Sequence, residues 1–191
     1  MMKITSATFM RGVNGDNDIL DDGIPQIAFI GRSNAGKSSV INSLVNINGL
    51  ARTSTTAGLT RELNVFMINK AVYFIDLPGY GFAKGNMEFL QKINKLVFWY
   101  LFDSQHNPKV VLIIDAEIGM TESDQGMLES LEKRGLEIVV VANKVDKIKK
   151  SYYFNQIKKI QEQFNGHIVV PFSSVTKVGV SELREELLSR R

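Results

Sequence analysis

At 191 residues and 44% hydrophobic content, the chain can bury one core of ordinary size but not two comfortable ones. With 23% charged residues and no long polar tract it does not read as disordered, and without cysteine it can carry neither a disulfide framework nor a thiolate metal site. Lys and Arg number 23 against 20 Asp and Glu, a net charge of +3 that hints at an anionic partner only where the charge is clustered.

The opening residues, Met1-Met2-Lys3-Ile4-Thr5, lack the charged, apolar and small-residue order of a secretory signal. No apolar run reaches membrane-spanning length, so the cytoplasm is the expected location and no membrane partner is expected. Ile4 to Met10 alternates and predicts an edge strand. Asn14 to Gly23 is a polar loop whose carboxylates, Asp16, Asp18, Asp21 and Asp22, lack the spacing and closing Glu of a calcium loop; a solvated loop is expected. The apolar run Ile27-Ala28-Phe29-Ile30 predicts a buried strand. It feeds Gly31-Arg32-Ser33-Asn34-Ala35-Gly36-Lys37-Ser38, and Ser39 to Val45 then reads as a helix opening.

Strand, glycine loop and helix in that order are the context the GxxxxGK[ST] phosphate loop requires. Gly31 and Gly36 let successive N–H groups curl around a phosphate at the positive end of a helix. Lys37 is the cation for β- and γ-phosphates, and the Ser38 hydroxyl is a ligand for Mg²⁺. Downstream, Arg52 to Thr60 is rich in hydroxyls and reads as a loop. Leu63 to Ile68 and Ala71 to Asp76, separated by Asn69-Lys70, predict a tight hairpin. Its second strand ends in Asp76-Leu77-Pro78-Gly79, where Asp76 can hold a water on Mg²⁺ and the Gly79 N–H can reach a γ-phosphate. Thr60 is a candidate for the remaining metal ligand, with Thr53, Thr55 and Thr56 as local rivals.

Asn86 to Phe102 carries apolar residues at helical spacing, with Trp99 expected in the core. Val110 to Ile114 and Glu137 to Ala142 predict buried parallel strands, Ser123 to Lys133 a helix between them. A helix with Tyr153, Ile157, Ile160 and Phe164 inward, a strand from His167 to Phe172 and a helix from Val180 to Leu188 close the chain. His106 and His167 stand isolated and are not expected to do chemistry. The alternation predicts an α/β, three-layer P-loop NTPase fold, its doubly wound sheet mostly parallel with one antiparallel hairpin strand. A single domain is expected, a short strand and acidic loop over 1–25 preceding a core over 26–191.

The strand Glu137 to Ala142 runs into Asn143-Lys144-Val145-Asp146, which selects the base. A carboxylate at Asp146 accepts two hydrogen bonds from guanine, whose N1–H and exocyclic amine form a donor pair that adenine lacks. Asn143 would brace the base and the phosphate loop, and the Lys144 stem would cover one face of the ring. GTP or GDP with Mg²⁺ is therefore the expected ligand set; a P-loop kinase would leave Asp146 without a role.

The motifs GRSNAGKSS at Gly31 to Ser39, AGLTRELNVF at Ala57 to Phe66, DLPGYGFAK at Asp76 to Lys84, NKVDK at Asn143 to Lys147 and FSSVTKVGV at Phe172 to Val180 are similar to those of the EngB (YihA/YsxC) GTPases, neighbours of Era, TrmE and EngA. The resemblance covers nearly the whole chain. It implies that Gly58, Leu59, Thr60, Arg61 and Glu62 form switch I with Thr60 on Mg²⁺, and that the Phe172-Ser173-Ser174 loop meets the guanine carbonyl. It also implies a switch that hydrolyses GTP slowly in assembly of the large ribosomal subunit, with ribosomal RNA as partner and a link to growth and division. DNA binding is not expected, and a monomer is. Ala57 departs from the family's usual Pro and is expected to loosen switch I; Asn143 departs from the Thr of many members and leaves base choice undisturbed. Tyr80 stands where many GTPases place a water-orienting Gln, in keeping with slow turnover. Asn34 matches an Asn by which some relatives ligate K⁺; the other reading is that it tightens its own turn.

Two other functions remain open on the sequence, a switch for a protein effector without RNA and a nucleotide-gated binding module that scarcely hydrolyses. Lys144, Lys147, Lys149, Lys150, Lys158 and Lys159 face one carboxylate, Asp146, over that segment, and Arg190-Arg191 ends the chain. Such a cluster is either a solvated helix face or a phosphate-contacting patch.

Overall fold

The computed structural model describes residues 3–51, 62–80, 94–164 and 166–189. The apolar runs become strands of one sheet, in spatial order β1-β3-β4-β2-β5-β6-β7. They are β1 (Ala7–Val13), β2 (Gln26–Gly31), β3 (Leu63–Ile68), β4 (Val72–Asp76), β5 (Lys109–Asp115), β6 (Ile138–Asn143) and β7 (Ile168–Phe172). Helices with both ends among the described residues are α1 (Lys37–Val45), α2 (Glu122–Arg134), α3 (Lys150–Gln163) and α4 (Val180–Leu188).

Successive residues of a strand point to opposite faces, and here both faces are covered. Ala28, Ile30, Val110, Leu112, Ile114, Val140 and Ala142 pack on one side with Leu128 and Leu131 of α2 and Ile157 and Ile160 of α3. Ile27, Phe29, Val111, Ile113, Val139 and Val141 pack on the other with Val40, Ile41 and Leu44 of α1 and Leu183 and Leu187 of α4. Helices, sheet and helices make the three expected layers. β3 pairs antiparallel with both β1 and β4, so it alone runs against the other strands. Its turn to β4 holds Asn69 and Lys70 at φ 50° and 54°, with Ala71 N–H on the Ile68 carbonyl at 2.9 Å. Two consecutive left-handed residues are what the strongly twisted hairpin turn demands.

The first strand lies three residues later than its alternation suggests. Residues before it are tied instead to the hairpin tip, where Asn69 Oδ1 accepts from Thr5 N–H at 2.7 Å and Asn69 Nδ2 donates to the Lys3 carbonyl at 2.9 Å. Pairing then continues past a bulge at Phe9/Arg11 to bury Val13 opposite Leu63. The helix read over Asn86 to Phe102 lies partly outside the described residues. Residues 94–98 are helical and run into a π-type turn, Trp99–Asp103, closed by Ser104 N–H on the Trp99 carbonyl at 2.8 Å. Tyr100 is fully buried there and donates to Gln26 Oε1 at 2.7 Å, while Trp99 is partly buried against the same core. No helix among the described residues is long and apolar enough to cross a membrane.

β2 lies between β4 and β5, and the strand order reverses about it. Ligands of doubly wound sheets bind at such a reversal, beyond the carboxyl ends of the strands. The residues found there are Gly31, Asp76, Asp115, Asn143 and Phe172, the last residues of the five parallel strands.

Candidate nucleotide-binding site

The phosphate loop leaves β2 at Gly31 and enters α1 through Gly36, whose φ of 93° is left-handed. A side chain at Gly36 would also place its Cβ 2.3 Å from Asn143 Nδ2, so glycine is needed both for the turn and for the approach of β6. Asn143, 2% exposed, donates from Nδ2 to the Ala35 carbonyl at 2.8 Å, bracing the loop as its sequence position suggested. Lys144, left-handed at φ 69°, sends its ammonium to the Asn34 carbonyl and to Asp115 Oδ2, each at 2.6 Å. Its stem therefore spans from the turn after β6 to the phosphate loop and the end of β5. Lys37 is buried and ion-paired with Asp76, which is 1% exposed. Ser38 and Ser39, at the start of α1, are half-buried.

The Asp76-Leu77-Pro78-Gly79 segment continues along the phosphate loop after β4 ends. Leu77 N–H donates to the Phe29 carbonyl at 3.1 Å, Tyr80 N–H to the Gly31 carbonyl at 3.2 Å, and Ser33 N–H to the Tyr80 carbonyl at 3.1 Å. A Cβ on Gly79 would lie 3.1 Å from the Gly31 carbonyl and 3.2 Å from Ser33 N, so a larger residue would require the two backbones to give by a few tenths of an ångström. The half-buried Tyr80 donates from its phenol to Asp124 Oδ1 at 2.7 Å. Its pKa is driven far above the ordinary phenol range by burial first and by the Asp124 charge second, with Arg32 opposing.

At the base end, Asp146 is exposed in the short turn after β6, and Val145 beside it is buried. The Ser173 hydroxyl, fully buried beyond β7, donates to Asp146 Oδ1 and accepts from the N–H groups of Val175 and Thr176 at 3.2 and 3.0 Å. Ser173 thus fixes one carboxylate oxygen and the turn carrying Ser174 at once, a role beyond the backbone contact that family resemblance implied for it. Phe172 is wholly buried under this turn.

Four buried side-chain atoms among the described residues lack a hydrogen-bond partner: Arg32 Nε, Ser33 Oγ, Asn143 Oδ1 and Ser174 Oγ. Arg32 Nε sits 3.2 Å from Asp124 Oδ2 as an ion pair without hydrogen-bonding alignment. Buried polar groups are almost always paired, so these four leave room in these loops for a further polar partner, whether water, ion or ligand.

Gly58, Leu59, Thr60 and Arg61 lie outside the described residues, as do the rival Thr53, Thr55 and Thr56. Glu62 is described, and its carboxylate accepts from Asn14 Nδ2 at 2.8 Å on the β1–β3 side of the sheet. Among the described residues no cluster of His, Asp and Glu could alone hold a metal. His106 lies against Trp99 and 3.7 Å from Asp21, and His167 bonds Glu132 at 2.8 Å. Sequence reasoning missed Asp115 and Asp124. Asp115 was findable as a carboxylate ending a buried parallel strand, like Asp76. Asp124 closes a capping box with Thr121, a local signature, but its partner Tyr80 is remote in sequence.

Together the fold and the converging loops define a P-loop GTP-binding domain. A family model described as 50S ribosome-binding GTPase matches residues 26–144, and one described as Elongation factor Tu GTP binding domain matches residues 105–190. The chain is 39% identical to a probable GTP-binding protein EngB of Clostridioides difficile, covering 99% of this chain and 95% of that one. It is 41% identical to the EngB of Clostridium perfringens strain 13, covering 97% and 96%. Among solved structures, a probable GTP-binding protein engB matches with a TM-score of 0.68 at 26% identity, covering 84% of this chain and 95% of that chain. An Aquifex aeolicus Era bound to GDP.AlF4- matches with a TM-score of 0.70 at 25% identity, covering 87% and 57%. The chain belongs to the EngB family of GTP-binding proteins.

Proposed function

We propose that this chain is a Mg²⁺-dependent GTPase switch whose triphosphate form acts in assembly of the large ribosomal subunit. The observation that carries the nucleotide reading is the set of buried atoms without a partner, Ser33 Oγ at the phosphate end and Asn143 Oδ1 and Ser174 Oγ at the base end; Arg32 Nε, also without a hydrogen bond, is already ion-paired with Asp124. A guanine nucleotide offers groups for both ends at once. Guanine preference rests on Asp146, held by Ser173 for a pair of donors.

The donor set fits Mg²⁺: the half-buried Ser38 hydroxyl is a hard oxygen ligand and the buried Asp76 carboxylate would hold a water on the ion, which would take its remaining ligands from water and phosphate. Thr60 would add a further hydroxyl in the triphosphate form. When bound, the ion neutralises charge on the β- and γ-oxygens. Lys37 exchanges its pairing with Asp76 for the phosphates, and the Gly79 N–H holds the γ-phosphate. Tyr80 cannot orient the attacking water while its phenol is committed to Asp124, which supports slow intrinsic hydrolysis.

The ribosomal reading is supported by the family model's description and by charge. Lys147, Lys149, Lys150, Lys158 and Lys159 are all exposed, and the first turn of α3 carries no acidic residue, although Lys158 pairs with Glu162 at 3.9 Å further along the helix. Phe154, 76% exposed, lies four residues from both Lys150 and Lys158, so one helix face presents an aromatic ring between two cations. That combination suits an RNA backbone with an unstacked base. The test is binding to purified large subunits across a salt series, with GDP and with a non-hydrolysable GTP analogue. Tighter binding with the analogue, a steep fall with salt, and a flatter slope after Lys149→Glu with Lys150→Glu are expected. Equal binding in both nucleotide states without salt dependence would leave a GTPase whose effector is a protein.

A further inference from the structure

Asp124 is wholly buried at the start of α2, where it closes the capping box with Thr121, yet it belongs to none of the nucleotide-binding motifs described above. Four groups converge on it. Tyr80 donates to Oδ1 at 2.7 Å, the Thr121 N–H and hydroxyl donate to Oδ2 at 3.0 and 2.7 Å, and Arg32 Nε lies 3.2 Å from Oδ2. A helix cap needs only the Thr121 contacts. The other two come from the phosphate loop and from the residue after Asp76-Leu77-Pro78-Gly79, and those two residues are themselves bridged through their backbones. We propose that Asp124 is a positioning residue for triphosphate recognition, clasping Tyr80 and Arg32 so that the Gly79 backbone is presented beside the phosphate loop.

The clasp acts where regular strand pairing has ended. β4 ends at Asp76, and beyond it the segment is held to the phosphate loop by isolated backbone bonds, Tyr80 N–H to Gly31 and Ser33 N–H to Tyr80. The side chain of Tyr80 adds a third tether, and its anchor cannot shift easily because Asp124 is also fixed by Thr121. A γ-phosphate gains from a Gly79 N–H already in place, since a donor that must first be ordered gives less net affinity. GDP has no group for that N–H. The clasp therefore raises affinity for the triphosphate and leaves the diphosphate alone. The same contact assigns the Tyr80 phenol to structure rather than to water activation.

The inference rests on the guanine-nucleotide reading, and GDP serves as the control that separates the two. Tyr80→Phe and Asp124→Asn are titrated with GDP and with a non-hydrolysable GTP analogue, alongside thermal melts. Each is expected to weaken the analogue roughly tenfold, the effect of one hydrogen bond to a charged group, with GDP affinity unchanged. The double variant should lose little more than either single one, because both remove one contact. Tyr80→Phe keeps the ring, so it remains informative if Asp124→Asn fails to fold. Equal weakening of both nucleotides, or an analogue that binds as well as or better than before, overturns the clasp. Failure of the unaltered protein to bind GDP would instead overturn the nucleotide reading.

Discussion

The two ends of the nucleotide site are prepared in different ways. At the base end, Asp146 stands exposed with one oxygen fixed by Ser173, and Asn143 Oδ1 and Ser174 Oγ, in the segments that carry those two residues, have no hydrogen-bond partner. At the phosphate end both cations are already engaged, Lys37 with Asp76 and Arg32 with Asp124, inside the protein. On the proposed reading a guanine would add bonds to groups without other partners, whereas a phosphate would have to take Lys37 from a partner it already has. Base choice should therefore behave as recognition by a rigid template, and phosphate binding as an exchange tied to the stability of the fold.

Lys37→Ala tests the exchange most severely. Asp76 is 1% exposed, so removing the ammonium leaves a buried carboxylate without its counter-charge, a loss of about 3–5 kcal/mol in comparable pairs. The expected result is a lowered melting temperature together with loss of GTP binding. Adding Asp76→Leu should recover much of the stability and none of the binding. A Lys37→Ala protein as stable as the parent would show that the pair is not what holds this end.

Asp146→Asn should do the reverse. The residue is exposed, so stability should hold, while GTP affinity falls by about 2–3 kcal/mol for a lost charged acceptor and xanthine nucleotides gain. Competition titration with GTP, ATP and a xanthine triphosphate measures this. An unaltered protein that binds ATP and GTP equally would remove the base-end account altogether.

Much of this contrast was legible in the sequence because its parts are local. The phosphate loop, the hairpin with Asn69-Lys70 and the strand-to-Asn143 junction each declare themselves within ten residues, through glycine placement, left-handed turn residues and unbroken β-branched runs. The pairing of those parts was not legible. Nothing near Tyr80 indicates that its phenol meets Asp124 on α2, because the two are joined only when β4 and β5 flank β2. Asp115 escaped for the same reason, since its value comes from register: it lies opposite Asn143, which brings Lys144 within reach. The π-type turn at Trp99–Asp103 was hidden too, as a helical apolar pattern is the same whether the last hydrogen bond skips four residues or five.

Asp115→Asn sharpens the comparison between the ends with a smaller effect. The Lys144 ammonium would lose one charged partner and keep the Asn34 carbonyl, so the stem should wander rather than leave. GDP and GTP affinities should then fall together by about 1 kcal/mol, with the GTP-to-ATP ratio retained because Asp146 is untouched. A fall confined to GTP would mean that Lys144 serves the phosphate end instead.

The smallest effect is expected where the two ends meet. Asn34 belongs to the phosphate loop, is exposed, adopts φ 66°, and offers its carbonyl to Lys144 of the base-binding motif. As a turn residue it is suited to the left-handed conformation, which Gly would adopt as well and Ala would resist by about 1–2 kcal/mol. As a K⁺ ligand its side-chain oxygen would matter, and neither Gly nor Ala could replace it. Turnover is measured in K⁺ and in Na⁺ at matched ionic strength for the parent, Asn34→Gly and Asn34→Ala. The turn role predicts no difference between the salts, near-parental GDP binding for Asn34→Gly and a modest loss for Asn34→Ala. The K⁺ role predicts faster turnover of the parent in K⁺ and the same loss of that stimulation in both variants. Because Gly preserves the backbone that holds Lys144, a salt effect lost in Asn34→Gly while GDP affinity stays put would place Asn34's side chain at the phosphate end and its carbonyl at the base end.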